Sequence, residues 1–169
     1  DVSAMATTSD GTWYAYLGNW GGFDARNTTP ACNSGGVHIV DISDPASPQK
    51  VGFIAAHPNS YLGEGIHVVR ASTPSFTGDI LIHNNETCNA TLFTPSGASL
   101  WDVTNPLAPA PLSLNFGDPS PAVAGQTYHT THSAQLFVQR GVLAGGKDRV
   151  LAFLQDNQDL ADVDIFDVS

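Results

Sequence analysis

Short stretches of alternating apolar and polar residues run along the whole chain, separated by clusters of Gly, Pro, Asn, Asp and Ser. Such alternation is typical of β-strands, and the i, i+3, i+4 apolar spacing of an amphipathic helix is hard to find. The pattern therefore predicts an all-β domain. We expect eleven strands, at 3–8, 12–18, 36–42, 50–55, 65–71, 79–84, 97–103, 111–115, 132–139, 149–155 and 163–168.

One corner sequence occurs three times. An apolar strand runs into Asp41, Asp102 and Asp167 in VHIVDISDP, ASLWDVTNP and VDIFDVS, and these aspartates lie 61 and 65 residues apart. Serial four-stranded antiparallel units are typical of β-propeller blades, whereas a β-sandwich has no reason to repeat its corner. We therefore predict blades at 1–56, 57–117 and 118–169, with strands A to D in the first two and strand D missing from the third.

The corner aspartates have a structural explanation. An Asp or Asn side chain after a strand can accept backbone N–H bonds in an Asx turn. Pro45 and Pro106 follow in the first two corners and would end strand pairing, since proline fixes φ and lacks an N–H. We expect Asp41, Asp102 and Asp167 to form turns and not to take part in catalysis.

The corners, with the P-x-x-V-G that follows the first of them, resemble the LVIVD-repeat family of β-propellers. WYAYLGN at 13–19 resembles another element of the family unit, and GIHVV at 65–69 and THSAQLFV at 131–138 resemble its His-bearing innermost strand. The first corner is specific, and the other two are looser. The resemblance implies a secreted or cell-surface propeller, in a family whose members mostly lack an assigned activity. We expect the chain to be a piece of a larger ring, completed by further blades of a parent chain or by a second copy.

The stretches between strands B and C at 19–35 and 85–96, here called the B–C insertions, hold both cysteines and three glycosylation sequons. Equivalent loops of neighbouring blades lie side by side, so a Cys32–Cys88 disulfide is favoured over two free thiols. A disulfide would indicate an oxidising compartment. The three sequons begin at Asn27, Asn85 and Asn89. We expect this region to be exposed, which makes the three asparagines candidates for N-glycosylation.

Histidines carry the main chemical signal. His67 and His132 take matching positions at the start of the innermost strand, and His129 lies three residues before His132. Neutral imidazole binds Cu, Zn or Fe, so these three could form a metal site at the channel end, with His83 and Glu86 as outer ligands. Alternatively, each His bonds to the backbone of the next blade and holds the blades together. The acid-rich stretch 156–164 could hold Ca²⁺, or it is a solvated turn.

Composition narrows the possible functions. The chain has 16 acidic residues, 6 Lys plus Arg and a net charge of −10, which disfavours nucleic acid as a partner. Its apolar runs are too short to span a bilayer. Two hypotheses remain: an extracellular interaction module that binds a protein or glycan through the B–C insertions, or a metal-dependent enzyme built on the channel-end histidines. The second rests on analogy with propeller oxidases of the selenium-binding/methanethiol oxidase family.

Overall fold

The computed structural model describes residues 3–7, 11–19, 35–58, 60–62, 64–87, 97–117, 131–156 and 163–169. These residues form β-strands, turns and one 3₁₀ turn at Ala144–Gly146, with no α-helix among them, so the all-β prediction is confirmed. None of the helical structure in these ranges has the length and hydropathy to cross a membrane. The strands are β1 Ser3–Thr7, β2 Trp13–Asn19, β3 Gly36–Asp41, β4 Gln49–Ala55, β5 Ser60–Tyr61, β6 Ile66–Ser72, β7 Thr77–Asn84, β8 Glu86–Thr87, β9 Ala98–Asp102, β10 Ala110–Phe116, β11 Thr131–Leu143, β12 Lys147–Asp156 and β13 Val163–Asp167.

Three antiparallel sheets account for eleven of these strands. Sheet 1 has the order β1-β2-β3-β4, sheet 2 has β6-β7-β9-β10 and sheet 3 has β11-β12-β13. Each predicted strand overlaps one of these eleven. The prediction missed β5 and β8, which pair with each other over two residues, too few to show an alternating pattern. It also ended β11 too early, because that strand continues through a Gly-containing hairpin.

The three sheets share a common register around their corners. Each corner aspartate lies opposite an equivalent residue of the neighbouring strand: Asp41 opposite Tyr14, Asp102 opposite Ile80, and Asp167 opposite Leu151. The residue after each aspartate donates its N–H to that same strand: Ile42 to Trp13, Val103 to Asp79, and Val168 to Val150, at 2.9–3.0 Å. The sequence repeat is therefore also a repeat of strand order and register.

Sheet 2 is packed on both faces. Strand side chains alternate between the two faces of a sheet, so β7 directs Leu81 to one side and Ile80 and Ile82 to the other. Leu81 belongs to an apolar core shared with sheet 1, which includes Ile39. Ile80 and Ile82 belong to a second core shared with sheet 3, which includes Leu136. The first strands of the three sheets also meet, because β6 of sheet 2 contacts both β1 of sheet 1 and β11 of sheet 3.

The outer faces of sheets 1 and 3 carry apolar side chains that neither core covers. The exposed fraction is between 39% and 60% for Trp13, Leu17 and Phe53 on sheet 1 and for Phe137, Val163 and Ile165 on sheet 3. Single exposed apolar residues are ordinary, but three on one face form an apolar patch, and such patches mark surfaces that another element or partner covers.

Candidate functional site

The corner aspartates form side-chain-to-backbone hydrogen bonds in all three sheets. The Oδ1 atoms of Asp41, Asp102 and Asp167 accept the N–H two residues later, from Ser43, Thr104 and Ser169, at 2.8–3.1 Å. Asp44 and Asn105, three residues further along the first two corners, accept the N–H groups of Ala46 and Leu107 in the same way. These are the bonds of an Asx turn, which redirects the chain after a strand. The corner carboxylates therefore stabilise the turn in all three sheets.

His67 connects sheets 2 and 3. It lies on β6, and its Nδ1 accepts a hydrogen bond of 3.1 Å from the backbone N–H of Leu136 on β11. Burial lowers the pKa of His67. A ring nitrogen that accepts from an N–H must carry a lone pair, so this bond fixes the tautomer of the neutral ring. In this structure His67 joins one sheet to the backbone of the next.

His83 is buried, with both ring nitrogens in hydrogen bonds. The indole N–H of Trp101 can only donate, so it donates to Nε2 of His83, at 3.1 Å. The Nδ1 atom therefore carries the proton and donates to the carbonyl of Asn84, at 3.0 Å. Burial lowers the pKa of His83 to about 4. Metal binding at Nε2 would have to displace the Trp101 bond.

His132 lies between two carboxylates at the start of β11. Its Nδ1 is 3.3 Å from Oε1 of Glu86, which is almost fully buried, and its Nε2 is 3.9 Å from Oε2 of Glu64, which is exposed. We call Glu64, Glu86 and His132 the inner-edge cluster. The two carboxylates approach different nitrogens of one ring, so the three groups do not converge on a common point. Of the two contacts, that with Glu86 is within hydrogen-bond distance and that with Glu64 is a longer contact.

Asn84 fixes the backbone around the inner-edge cluster. It is fully buried, and its Nδ2 donates to the carbonyls of Thr131 and His132 at 2.7 and 3.0 Å. Its Oδ1 accepts from the N–H of Gly65 at 3.3 Å. Gly65 lies so close to β11 that a Cβ there would be 2.3 Å from the backbone nitrogen of Ala134. Sequence reasoning missed both residues, although a Gly directly before a strand, such as Gly65 before β6, is a weak signal of close backbone approach.

Among the described residues, the structure brings together only His132 and Glu86 of the predicted metal ligands, at 3.3 Å. His67 lies against Leu136, His83 against Trp101, and His132 beside Glu86. The described ranges contain no group of three or more His, Cys, Asp or Glu side chains suited to a metal ion. His129 and residues 157–162 of the acid-rich stretch lie outside those ranges, so the metal and Ca²⁺ sites stay predictions.

The predicted disulfide and glycosylation sites fall mostly outside the described residues. This applies to Cys32, Cys88, Asn27 and Asn89. Asn85 is described, and its side chain is fully buried rather than exposed. Its Nδ2, the atom that would carry a glycan, donates to Ser99 and Asn115 at 3.2 and 3.0 Å. The expected exposure of Asn85 is therefore wrong, whereas its glycosylation stays a prediction; a glycan on this atom would have to displace both bonds.

No family model, no curated protein and no solved structure matches this chain. The resemblance to LVIVD-repeat propellers accordingly rests on the motifs of the sequence alone. What the structure adds is an all-β chain of antiparallel sheets that repeat one order, one register and one corner turn.

Proposed function

We propose that this chain is a segment of a β-propeller of the LVIVD-repeat type, which acts as an extracellular or cell-surface interaction scaffold. The observation that carries the proposal is the packing of sheet 2 against sheet 1 on one face and sheet 3 on the other. The first strand of sheet 2, β6, also contacts the first strands of both neighbours. In a propeller, blades pack face to face in series and their first strands line the axis.

The exposed apolar faces of sheets 1 and 3 support the same proposal. Trp13 and Phe53 on one face and Phe137 and Ile165 on the other are the kind of residues that a further blade would cover. A series of stacked repeats leaves such faces at its two ends. The covering sheets would come from the same parent chain or from further copies of it.

We assign the interaction surface to the B–C insertions. They leave sheets 1 and 2 at equivalent places, after β2 and after β7, and return at β3 and β9. Loops held by a rigid sheet are common binding sites, since they vary without disturbing the core. The partner proposed is an extracellular protein or a glycan, in line with the family resemblance and with the predicted Cys32–Cys88 disulfide.

The test is a binding screen against secreted proteins and glycans with matched variants. In one variant, residues 20–34 are replaced by a short Gly-Ser linker. In the control, Leu107, an exposed residue between β9 and β10, is changed to Ser. We expect partners that bind the wild type and the L107S control and lose at least tenfold in affinity for the linker variant. Partners that bind the linker variant as tightly as the wild type would overturn the assignment to this surface.

A metal-dependent enzyme is the second candidate, and one observation favours it. His132 is partly exposed and has two carboxylates beside it, and His129 lies three residues away in the sequence. Elemental analysis of the purified chain tests this reading. Stoichiometric Cu, Zn or Fe that is lost in His132→Ala would favour the enzyme, and a metal-free chain after exposure to these ions would contradict it.

A further inference from the structure

A small cavity lies between sheets 1 and 2, at the end of the strands from which the B–C insertions leave. It has a volume of about 170 Å³, and its walls come from residues 55–58 at the end of sheet 1 and from His83, Ser99, Trp101, Leu114 and Asn115 of sheet 2. Ala55 pairs with Gly36, where the first insertion returns to its sheet, and Asn84 pairs with Ala98, where the second insertion leaves and returns. The cavity therefore lies next to the base of both insertions.

A bulge in β10 places two neighbouring residues on the cavity wall. Successive side chains of a strand normally face opposite sides of the sheet. Opposite the single residue Ser99 of β9, however, β10 has two residues, Leu114 and Asn115, and both line the cavity. Asn115 has a φ of 53°, and it is the one non-glycine residue with positive φ in the part of the chain that the structure describes. This backbone conformation is uncommon for a residue with a side chain.

The repeat does not require this bulge. The equivalent part of sheet 1, from Gly52 to Ala55 of β4, pairs with β3 residue for residue, from Ile39 to Gly36. Bulges turn side chains to a new direction and occur often beside functional sites. A residue held in a sparsely populated backbone region also points to a function. The difference between β10 and β4 therefore marks the cavity as a candidate ligand site.

The cavity wall contains hydrogen-bond donors that no described residue accepts. The Oγ atom of Ser99, which is 3% exposed, accepts from Nδ2 of Asn85 and from the backbone N–H of Asn115, both at 3.2 Å. A serine oxygen has two lone pairs, so these bonds leave its O–H for another acceptor. The Oδ1 atom of Asn115 accepts from Asn85 at 3.0 Å, which leaves the side-chain N–H groups of Asn115 as further donors. Buried donors without a partner are costly, so a ligand that accepts from them gains affinity.

His57 adds an acceptor on the wall that sheet 1 forms. Its Nδ1 atom is 2.9 Å from the carbonyl oxygen of Pro58. A carbonyl oxygen can only accept, so Nδ1 carries the proton. The Nε2 atom of the neutral ring then has a lone pair for a donor of the ligand.

The rest of the wall offers ring and aliphatic surface. Nε2 of His83 and the indole N–H of Trp101 bond to each other, so these residues present their rings to the cavity, and Leu114 adds an aliphatic side chain. None of the described lining residues is Lys, Arg, Asp or Glu. The cavity thus combines apolar surface, two donor groups and one acceptor, without a fixed charge.

We propose that this cavity binds one neutral pyranose ring of a glycan. Ser99 and Asn115 donate to hydroxyl oxygens of the sugar, and His57 accepts from one of its hydroxyl groups. The indole ring of Trp101 lies against the C–H groups of the sugar ring. The inference rests on the proposed function for the role of a glycan as partner, and it adds the class of sugar and the residues that recognise it.

The size and chemistry of the cavity select this ligand. Pockets for drug-sized ligands measure about 300–1,000 Å³, so this smaller cavity suits a ligand of about one ring. A hydroxyl group both donates and accepts, which matches a wall that offers both partners. The C–H face of a pyranose is apolar and slightly positive, and it suits the negative face of an aromatic ring. A charged ligand would be buried without an opposite charge, and a purely apolar ring would leave the Ser99 donor unsatisfied.

The test is an NMR titration of the ¹⁵N-labelled 169-residue chain with the methyl glycosides of glucose, galactose, mannose and N-acetylglucosamine. We expect at least one glycoside to cause saturable shifts of the Trp101 indole N–H and the Asn115 side-chain amide, with intermolecular NOEs from the sugar ring protons to Trp101. The indole N–H of Trp13, on the outer face of sheet 1, is the internal control and should not shift. Cyclohexanol, which lacks the polyol, and glucuronate, which adds a charge, should bind at least tenfold more weakly.

Two variants of His57 form the matched pair. His57→Ala removes the acceptor, so the affinity for the glycoside should fall at least tenfold. His57→Gln keeps a side-chain acceptor, and its affinity should stay within about threefold of wild type. Both variants should fold, because His57 is only partly buried and its carbonyl keeps its bonds to Ser60.

Several results would overturn the inference: no saturable shift with any of the four glycosides, equal shifts at Trp13 and Trp101, equal binding of cyclohexanol, or equal affinity of wild type and His57→Ala. The variant with a linker in place of residues 20–34 keeps every residue of the cavity, so it should bind the glycoside within about threefold of wild type. Loss of glycoside binding in that variant would assign the sugar to the insertions and would also overturn the cavity site. A cavity that binds no sugar leaves the test of the B–C insertions with secreted proteins unaffected, so the two proposals fail separately.

Discussion

Acid should weaken this fold through His83. The side chain is buried, and its folded pKa is about 4 against an ordinary value of 6.5. Between these values the unfolded chain binds a proton on this ring and the folded chain does not, so protonation favours unfolding. The stability that neutral His83 confers is fully present above pH 6.5 and is lost as the pH falls towards 4. A difference of about 2.5 in pKa corresponds to about 3 kcal/mol.

The matched variant is His83→Phe. Phenylalanine keeps a ring beside Trp101, whose ring stacks against His83 at 6.5 Å, but it cannot titrate. The variant leaves the Trp101 N–H and the Asn84 carbonyl without their His83 partner, so we expect it to be about 1–3 kcal/mol less stable at pH 7. Its loss of stability between pH 7 and pH 4 should be about 3 kcal/mol smaller than that of the wild type.

Urea unfolding at a series of pH values measures both quantities, and the comparison cancels contributions from other groups. His67 also has a pKa lowered by burial and adds a slope of the same sign to both proteins. NMR of the imidazole nitrogens checks the cause directly, since Nδ1 should carry the proton at pH 6. Equal pH slopes in wild type and variant, or a His83 ring that titrates near pH 6.5, would refute the reasoning.

Three further predictions concern the contacts between sheets and the corner turns. Gly65→Ala should destabilise the fold by about 1–3 kcal/mol in urea unfolding, because the new Cβ would be 2.3 Å from a backbone nitrogen of β11; Gly52→Ala, whose nearest neighbour is at 3.2 Å, should cost less. Asn84→Leu should cost about 2–3 kcal/mol and speed amide exchange at the start of β11, where two carbonyls would lose a donor; unchanged exchange there would contradict the assigned contact. Asp102→Ala should lower stability by about 1 kcal/mol in thermal unfolding, whereas Asp102→Asn, which keeps an acceptor for the Thr104 N–H, should stay close to wild type.

Local signals explain what could be predicted from the sequence. Alternation along each strand depends only on which face is buried, so the eleven main strands and the all-β class could be recognised. The corner is equally local, because the carboxylate of Asp41 bonds an N–H only two residues away. The common register of the sheets follows from repeating that corner at nearly constant spacing.

Contacts between distant strands could not be predicted in the same way. Asn84 bonds to Thr131, 47 residues later, and nothing near Asn84 in the sequence specifies that partner. The bond between His83 and Trp101 also depends on how β7 and β9 pair. The position of Asn85 at the edge of a B–C insertion predicts exposure, yet its N–H pairs with Gly97 and its side chain is buried. Local patterns define the strands, and tertiary packing decides which polar groups become buried.

Methyl NOE spectroscopy tests most directly whether sheet 2 is buried between two other sheets in series. The methyl groups of Leu81 should show NOEs to Ile39 of sheet 1, and those of Ile82 should show NOEs to Leu136 of sheet 3. Cross-peaks from both faces of β7 to a single sheet, or from one face to water only, would indicate a two-layer sandwich and contradict the burial of sheet 2 between two sheets.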